Sequence, residues 1–264
     1  MSKSQSTRIS GTKEWSNHSV NCISGCSHNC RYCYARSMAH RFGRIKSQDE
    51  WADMKVKPAE VTKRRRKLDG RVMFPTTHDI TPETLAPCKD VLLNILAAGN
   101  EVLIVSKPHI ECIETLCRDL KLFRDRILFR FTIGSRNESI LAYWEPGAPT
   151  YEERLACLRL AHKEGYATSV SCEPILDTTD AKGLCDELSP HVTDSIWIGK
   201  MNKVRSRATL DTSCNEINRI EQGQTRESVI EVYGRLKDNP LVKWKESYKE
   251  VVGVNLARQA GLDI

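Results

Sequence analysis

From about residue 70 onward, short apolar runs alternate with longer helical patterns, and no other feature of this 264-residue chain restricts its fold as much. Residues 71–74, 101–106, 127–133, 167–172 and 195–199 read as strands. Between them, 82–98, 109–122 and 151–164 carry helical periodicity, with a weaker helical pattern at 181–188. Strands this short, separated by helices, imply right-handed βαβ units around a parallel sheet. A first strand near 19–23 and the helix after it bring the count to about six units. The expectation is an α/β fold, a partial (βα)6 TIM-like barrel with function at the carboxyl ends of its strands.

Two regions break the alternation. Residues 45–69 insert a charged, partly helical segment, and 200–264 read as a helical C-terminal tail. No internal repeat and no linker rich in Gly, Pro or Ser marks a boundary, so the expectation is a single domain over residues 1–264. No run reaches the roughly 18 to 20 apolar residues of a membrane helix. Residues 1–20 lack the apolar centre of a signal peptide, so no membrane association and a cytoplasmic location are expected. Eleven cysteines then point away from disulfides, because a reducing compartment does not maintain them and an odd number cannot all pair. Some of these thiols are expected to hold metal.

The formal net charge of +6 is unevenly spread. Lys55, Lys57, Lys63, Arg64, Arg65, Arg66, Lys67 and Arg71 face only Glu60 and Asp69 within one short stretch, which leaves the rest of the chain formally neutral. Lys63, Arg64, Arg65, Arg66 and Lys67 are therefore candidate nucleic-acid contacts. A solvated helix face is the alternative.

Directly after the first strand, Cys26, Cys30 and Cys33 form a C-x3-C-x2-C array on a loop that leads into a helix. Three thiolates this close can converge on one inorganic centre. Zinc would need His28 or Cys22 as a fourth ligand. A cubane of four irons and four sulfides usually takes four cysteines, so three leave one iron open to a substrate or cofactor.

The segment Gly25-Cys26-x-His28-x-Cys30-x-Tyr32-Cys33-Tyr34-Ala35-Arg36 resembles the loop of the radical S-adenosylmethionine (SAM) superfamily, with the aromatic Tyr32 just before the last cysteine. Within it the resemblance is closer to the spore-photoproduct-lyase-like subgroup, including DNA repair photolyase-like and phage-type three-cysteine proteins. The resemblance implies a [4Fe-4S] cluster on the three cysteines, SAM on the open iron, and reductive cleavage of SAM to methionine and a 5′-deoxyadenosyl radical. It further implies an electron donor such as flavodoxin or ferredoxin.

Other strand ends can be assigned against that expectation. Lys107 resembles the lysine that the family sets near the SAM carboxylate. Phe74-Pro75-Thr76-Thr77-His78-Asp79 stands where many members carry Gly-Gly-Glu for the SAM amino group, and Thr77 is the substitute by position. Spore photoproduct lyases use a hydrogen-donating cysteine in this area; threonines stand here, which argues against that specific reaction. Thr132 and Ser135 end the fourth strand where the family contacts ribose and methionine, and Trp144-Glu145-Pro146-Gly147 also resembles the subgroup. Ser171 and Glu173 are candidate cofactor contacts at the fifth strand end. Cys172 and Tyr34 are the candidate catalytic side chains, although a cysteine is often a small buried hydrophobe. The remaining cysteines form no second array, so no auxiliary cluster is expected.

Three functions stay open at this stage. The first is a radical SAM enzyme acting on DNA, RNA or a related substrate. The second keeps the chemistry but acts on a peptide or small metabolite, with the basic insertion docking a partner protein. The third is a non-catalytic iron-sulfur or zinc nucleic-acid-binding module.

Overall fold

The computed structural model describes residues 9–261. Nine strands occur along these residues: β1 (His18–Ser19), β2 (Ile23–Ser24), β3 (Lys55–Val56), β4 (Val72–Phe74), β5 (Val102–Ser106), β6 (Ile127–Thr132), β7 (Ala167–Cys172), β8 (Ile196–Ile198) and β9 (Val242–Trp244). The helices are α1 (Tyr34–Arg41), α2 (Pro58–Val61), α3 (Leu85–Ala97), α4 (Ile110–Asp119), α5 (Glu138–Trp144), α6 (Tyr151–Lys163), α7 (Ala181–Leu188), α8 (Val204–Arg207), α9 (Cys214–Gly223), α10 (Arg226–Leu236) and α11 (Glu246–Val252). None is long and apolar enough to cross a membrane.

Seven strands form one parallel sheet in the order β1-β4-β5-β6-β7-β8-β9. The α/β partial barrel read from the alternation is the observed architecture. Two differences are instructive. The expected first strand divides: β1 pairs with β4, whereas β2 leaves the sheet and pairs antiparallel with β3 of the insertion. Asn21 explains the division, because its side chain accepts from the amides of Thr76 and Thr77 at 2.7 and 2.9 Å and turns the chain out of the sheet. The tail is not purely helical, since β9 lies parallel to β8 in the register Ile196↔Val242. Three residues are too few for a period-2 pattern to show.

Side-chain alternation along the strands builds two cores. Outward residues such as Ile104, Phe129, Val170 and Ile198 meet the helices, while Met73, Leu103, Leu128 and Trp197 point into the barrel with Trp15. Arg130 lies buried among them, its guanidinium 4.7 Å from the Trp15 ring and donating to Ser169 Oγ at 2.9 Å.

The sheet does not close between β1 and β9 among the described residues. The amino-terminal turn Gly11–Glu14 bridges this seam. Lys245, fully buried at the end of β9, donates to the Gly11 carbonyl at 2.7 Å and pairs with Glu14 at 2.6 Å. Glu246 sits beside Glu14 as a second buried carboxyl. Burial, then the hydrogen bond with Glu246, pushes Glu14 up to about 8, while Glu246 is held below its usual range by its bond to Glu14 and by Lys245, against its own burial. Glu14 thus holds its proton beside Glu246 at neutral pH. A carboxyl raised by folding favours the native state below its unfolded pKa and loses that contribution as pH climbs through about 8. Glu14→Gln removes the titrating group while keeping one acceptor oxygen, and gives up one of the two contacts that Glu14 makes to the Glu246 amide and to Lys245. Between pH 6 and 9 the wild type is therefore expected to lose melting temperature faster than Glu14→Gln, and parallel curves would contradict the raised Glu14 carboxyl.

Candidate active site

Cys26, Cys30 and Cys33 follow β2 on a tightly held loop. Gly25 adopts φ +96, and a Cβ there would meet the Asp53 and Trp51 carbonyls at 2.6 and 2.8 Å, so only glycine fits this close approach. The Cys26 amide donates to the Trp51 carbonyl at 2.8 Å, which makes the insertion a buttress for the loop. On the opposite side, Gly147 donates to the His28 carbonyl at 3.1 Å and Arg31 to the Trp144 carbonyl at 2.8 Å. A Cβ on Gly147 would overlap the Ser27 carbonyl. Cys33 caps α1, its sulfur accepting from the Arg36 amide at 3.5 Å.

The three sulfurs line one end of a cavity of about 530 Å³ at the carboxyl ends of the strands, within the size range of small-molecule sites. Tyr32, Tyr34, Thr77, Lys107, Thr132, Ser171 and Glu173 line it too. Cys172 does not. Its place in the alternation turns it outward into the helix-facing core, where Cys185 and Tyr248 are its neighbours, so the catalytic expectation for Cys172 is corrected. Ser135 is likewise outside the cavity lining; its hydroxyl accepts from the Asn137 amide at 3.0 Å and shapes the start of α5.

Lys63, Arg64, Arg65, Arg66 and Lys67 are also elsewhere. Lys67 donates to the Gly99 carbonyl, and the Arg66 carbonyl accepts from Asn100, both just before β5 begins. The run lies at the amino ends of the strands, opposite the cavity. Arg65 and Lys63 are partly satisfied by Glu60, at 3.1 and 3.4 Å.

A charged network supports the sulfur end. Asp79 accepts from the Lys107 amide at 2.8 Å, Ser106 Oγ at 3.1 Å and His28 Nδ1 at 2.8 Å, with Lys107 Nζ at 3.7 Å. Burial alone would raise Asp79, yet Lys107 and His28 hold it well below the carboxylate range. Burial opposes the Lys107 charge, but Asp79, Cys30, Tyr32 and Glu145 push its pKa well up. His28 Nε2 continues to His109 at 2.9 Å. Behind Cys30, the Tyr32 hydroxyl donates to buried Glu145, whose other oxygen pairs with Arg154 at 2.5 Å. Glu145 stays below its usual pKa through Arg154 and Lys107 despite full burial. Asp79, Glu145 and Arg154 were not singled out as site residues from the sequence, although Phe74–Asp79 and Trp144–Gly147 are both motif positions, and His28 was named only as a possible fourth ligand to zinc.

The donor set fits an iron-sulfur centre. Burial pushes the Cys30 thiol up to about 12 although Lys107 draws it down, and Cys26 is raised well above a free thiol by burial and by Asp79. Thiols in such a place ionise when a metal takes the proton's position. Cys26, His28 and Asp79 offer donor atoms within 4.8 Å of one another. A single ion there would have to break the His28–Asp79 and His28–His109 bonds, whereas among the described residues the three sulfurs make only the long Cys26–Asp79 contact at 3.8 Å and the Arg36 amide contact to Cys33 at 3.5 Å.

The fold, a partial barrel on a seven-stranded parallel sheet, is shared with solved structures. The chain superposes on spore photoproduct lyase complexed with dinucleoside spore photoproduct, at TM-score 0.56 and 16% identity over 92% of this chain and 79% of that one. It also superposes on Streptococcus suis SuiB bound to S-adenosylmethionine, at TM-score 0.54 and 9% identity over 93% of this chain and 54% of SuiB. In sequence it is 26% identical over 170 residues to an uncharacterised protein of the Acidianus two-tailed virus, and 24% identical over 192 residues to an uncharacterised protein of Methanocaldococcus jannaschii. The matches span 59% and 70% of this chain, and 55% and 69% of those two proteins. No protein-family model matches the chain.

Gly147→Ala tests the loop support. The added methyl must move the Ser27 carbonyl, at a cost of about 1 to 3 kcal/mol. A lower melting temperature and reduced iron uptake on anaerobic reconstitution are expected; wild-type values for both would show that the loop yields freely.

Proposed function

We propose that this chain is a radical SAM enzyme acting on a nucleic-acid-related substrate. The observation that carries the reading is the convergence, in one cavity, of three cysteine sulfurs with a buried lysine at the neighbouring strand end. Cys26, Cys30 and Cys33 would hold a [4Fe-4S] cluster, which when bound supplies the electron for reductive cleavage of SAM. Lys107 offers a cation for the SAM carboxylate in a pocket where few waters compete, and Asp79 fixes that lysine's backbone and charge. Asp79, unlike Thr77, offers a negative charge, so it is the better counterpart of the SAM amino group at this strand end. Thr77, Thr132 and Ser171 place short hydroxyls along the cavity, suited to ribose. Tyr32, whose ring lies 5.8 Å from Lys107 Nζ, walls the sulfur end.

Tyr34 also faces the cavity, and its hydroxyl donates to the Thr76 carbonyl. Burial raises it to about 12, so it stays protonated, and it is kept here as the proposed catalytic side chain. The substrate class is supported by the dinucleoside bound to spore photoproduct lyase, a protein of the same fold. An electron donor of the flavodoxin or ferredoxin type, in the cytoplasm, completes the reading.

The test is anaerobic reconstitution with iron and sulfide, reduction with dithionite, and mass spectrometry of SAM products. Wild type should hold about four irons and release methionine and 5′-deoxyadenosine, and Cys30→Ala should do neither. Lys107→Ala should keep the iron and bind SAM roughly ten- to hundred-fold more weakly, as the loss of a charge-assisted contact predicts. Stoichiometric zinc without iron uptake would overturn the proposal.

A further inference from the structure

The cavity is also lined by cations that the cofactor reading does not use. They are Lys13 of the seam-bridging turn and Lys200 and Arg207 of the loop that follows β8, Arg207 lying close enough to Cys33 to feel its charge. Among the described residues, no ion pair or side-chain hydrogen bond engages Lys13, Lys200 or Arg207. Arg207 is half-buried, and burial lowers its pKa, as it does that of Lys200. Its guanidinium lies 5.9 Å from the Tyr34 ring, and the nearest carboxylate attraction comes from Glu173, whose oxygen is 3.5 Å from Lys245. A partly desolvated guanidinium without an acceptor is a costly arrangement in a finished interior. Here three cations border one cavity, Lys13 exposed, Lys200 drawn by charge to Glu250 and Arg207 to Glu173 and Cys33. Lys203 turns the loop in a left-handed conformation, φ 56, which is sparsely populated for a non-glycine residue.

We propose that Lys13, Lys200 and Arg207 form the phosphate-binding rim of the substrate site, so that the substrate enters with a nucleotide phosphate on these cations and a base or sugar beside Tyr34. The inference rests on the reading of the cavity as a radical SAM site and specifies how its substrate is held. Arg207 offers the fork of N–H donors that matches phosphate oxygens, and the two ammonium groups add point charges. The Tyr34 ring offers an aromatic wall against which a base can stack. The basic run at 63–67 does not take part, because it faces the other end of the barrel.

The test is fluorescence anisotropy of the anaerobically reconstituted protein with a labelled single-stranded oligodeoxynucleotide. Unlabelled competitors are a dinucleotide with its phosphodiester, a nucleoside monophosphate, the matching nucleosides without phosphate, and poly-glutamate. Arg207→Ala and Lys200→Ala should each weaken binding about ten- to hundred-fold and flatten the salt dependence by about 0.7 per lost contact. Arg207→Lys should recover part of the loss, and circular dichroism with iron content checks that each variant folds. The dinucleotide and the monophosphate should compete and the nucleosides should not; the stronger of the two tells a strand from a free nucleotide. The triple variant Arg64→Ala, Arg65→Ala, Arg66→Ala should leave dinucleotide competition unchanged. Rim variants that bind like wild type, or poly-glutamate competing better than either phosphate ligand, would overturn the proposal. Loss of iron uptake or SAM cleavage in the wild type with the rim effects intact would instead refute the radical SAM reading and leave an anion site.

Discussion

Buried Asp79 is the interaction on which the site depends. One carboxylate takes the Lys107 amide, the Ser106 hydroxyl and the His28 ring, and so ties the end of β5 to the cysteine loop. A buried charge left alone is costly, and removing one partner of a buried pair typically costs about 3 to 5 kcal/mol. Lys107 and His28 meet that demand. The same arrangement leaves a permanent cation at the strand end, facing the cavity, where a carboxylate-bearing ligand would need it. Glu145 repeats the device beneath Cys30, with Arg154 and Tyr32 as its partners. The sulfur end therefore owes its shape to two buried anions that are not themselves cysteine neighbours in sequence.

The rest of the architecture serves that end. The insertion was read as a basic surface, but its residues 51–53 are carbonyl props for Gly25 and Cys26, and β3 pairs with β2. The amino-terminal turn closes the seam between β1 and β9 and at the same time contributes a wall of the cavity. The chain thus uses segments outside the βα repeats to finish a barrel that its sheet leaves open.

The strands of the alternating region were legible because each carries several consecutive apolar residues between clear helical patterns. β7 was read with its observed bounds, and so was α7 despite its weak periodicity. The three cysteines were legible because their spacing is local. Cys172 was misread for a physical reason: strand alternation sends Ser171 inward and Cys172 outward, and the reading weighed chemical type over parity. The run at 63–67 stands out by charge, yet charge density in sequence carries no information on which end of a barrel it decorates. The rim cations were missed for the complementary reason. Lys13 and Arg207 are 194 positions apart in the chain and border one cavity only because the turn and the β8 loop both line it.

The central claim is that the cysteine loop and Lys107 form one cofactor site rather than two unrelated features. Electron paramagnetic resonance of the reconstituted, dithionite-reduced protein with and without SAM tests it most directly. The account predicts a reduced cluster signal in the wild type that changes on adding SAM, and in Lys107→Ala the same starting signal with little change at the same SAM concentration. A cluster signal indifferent to SAM in the wild type, or an equal response in both proteins, would contradict it.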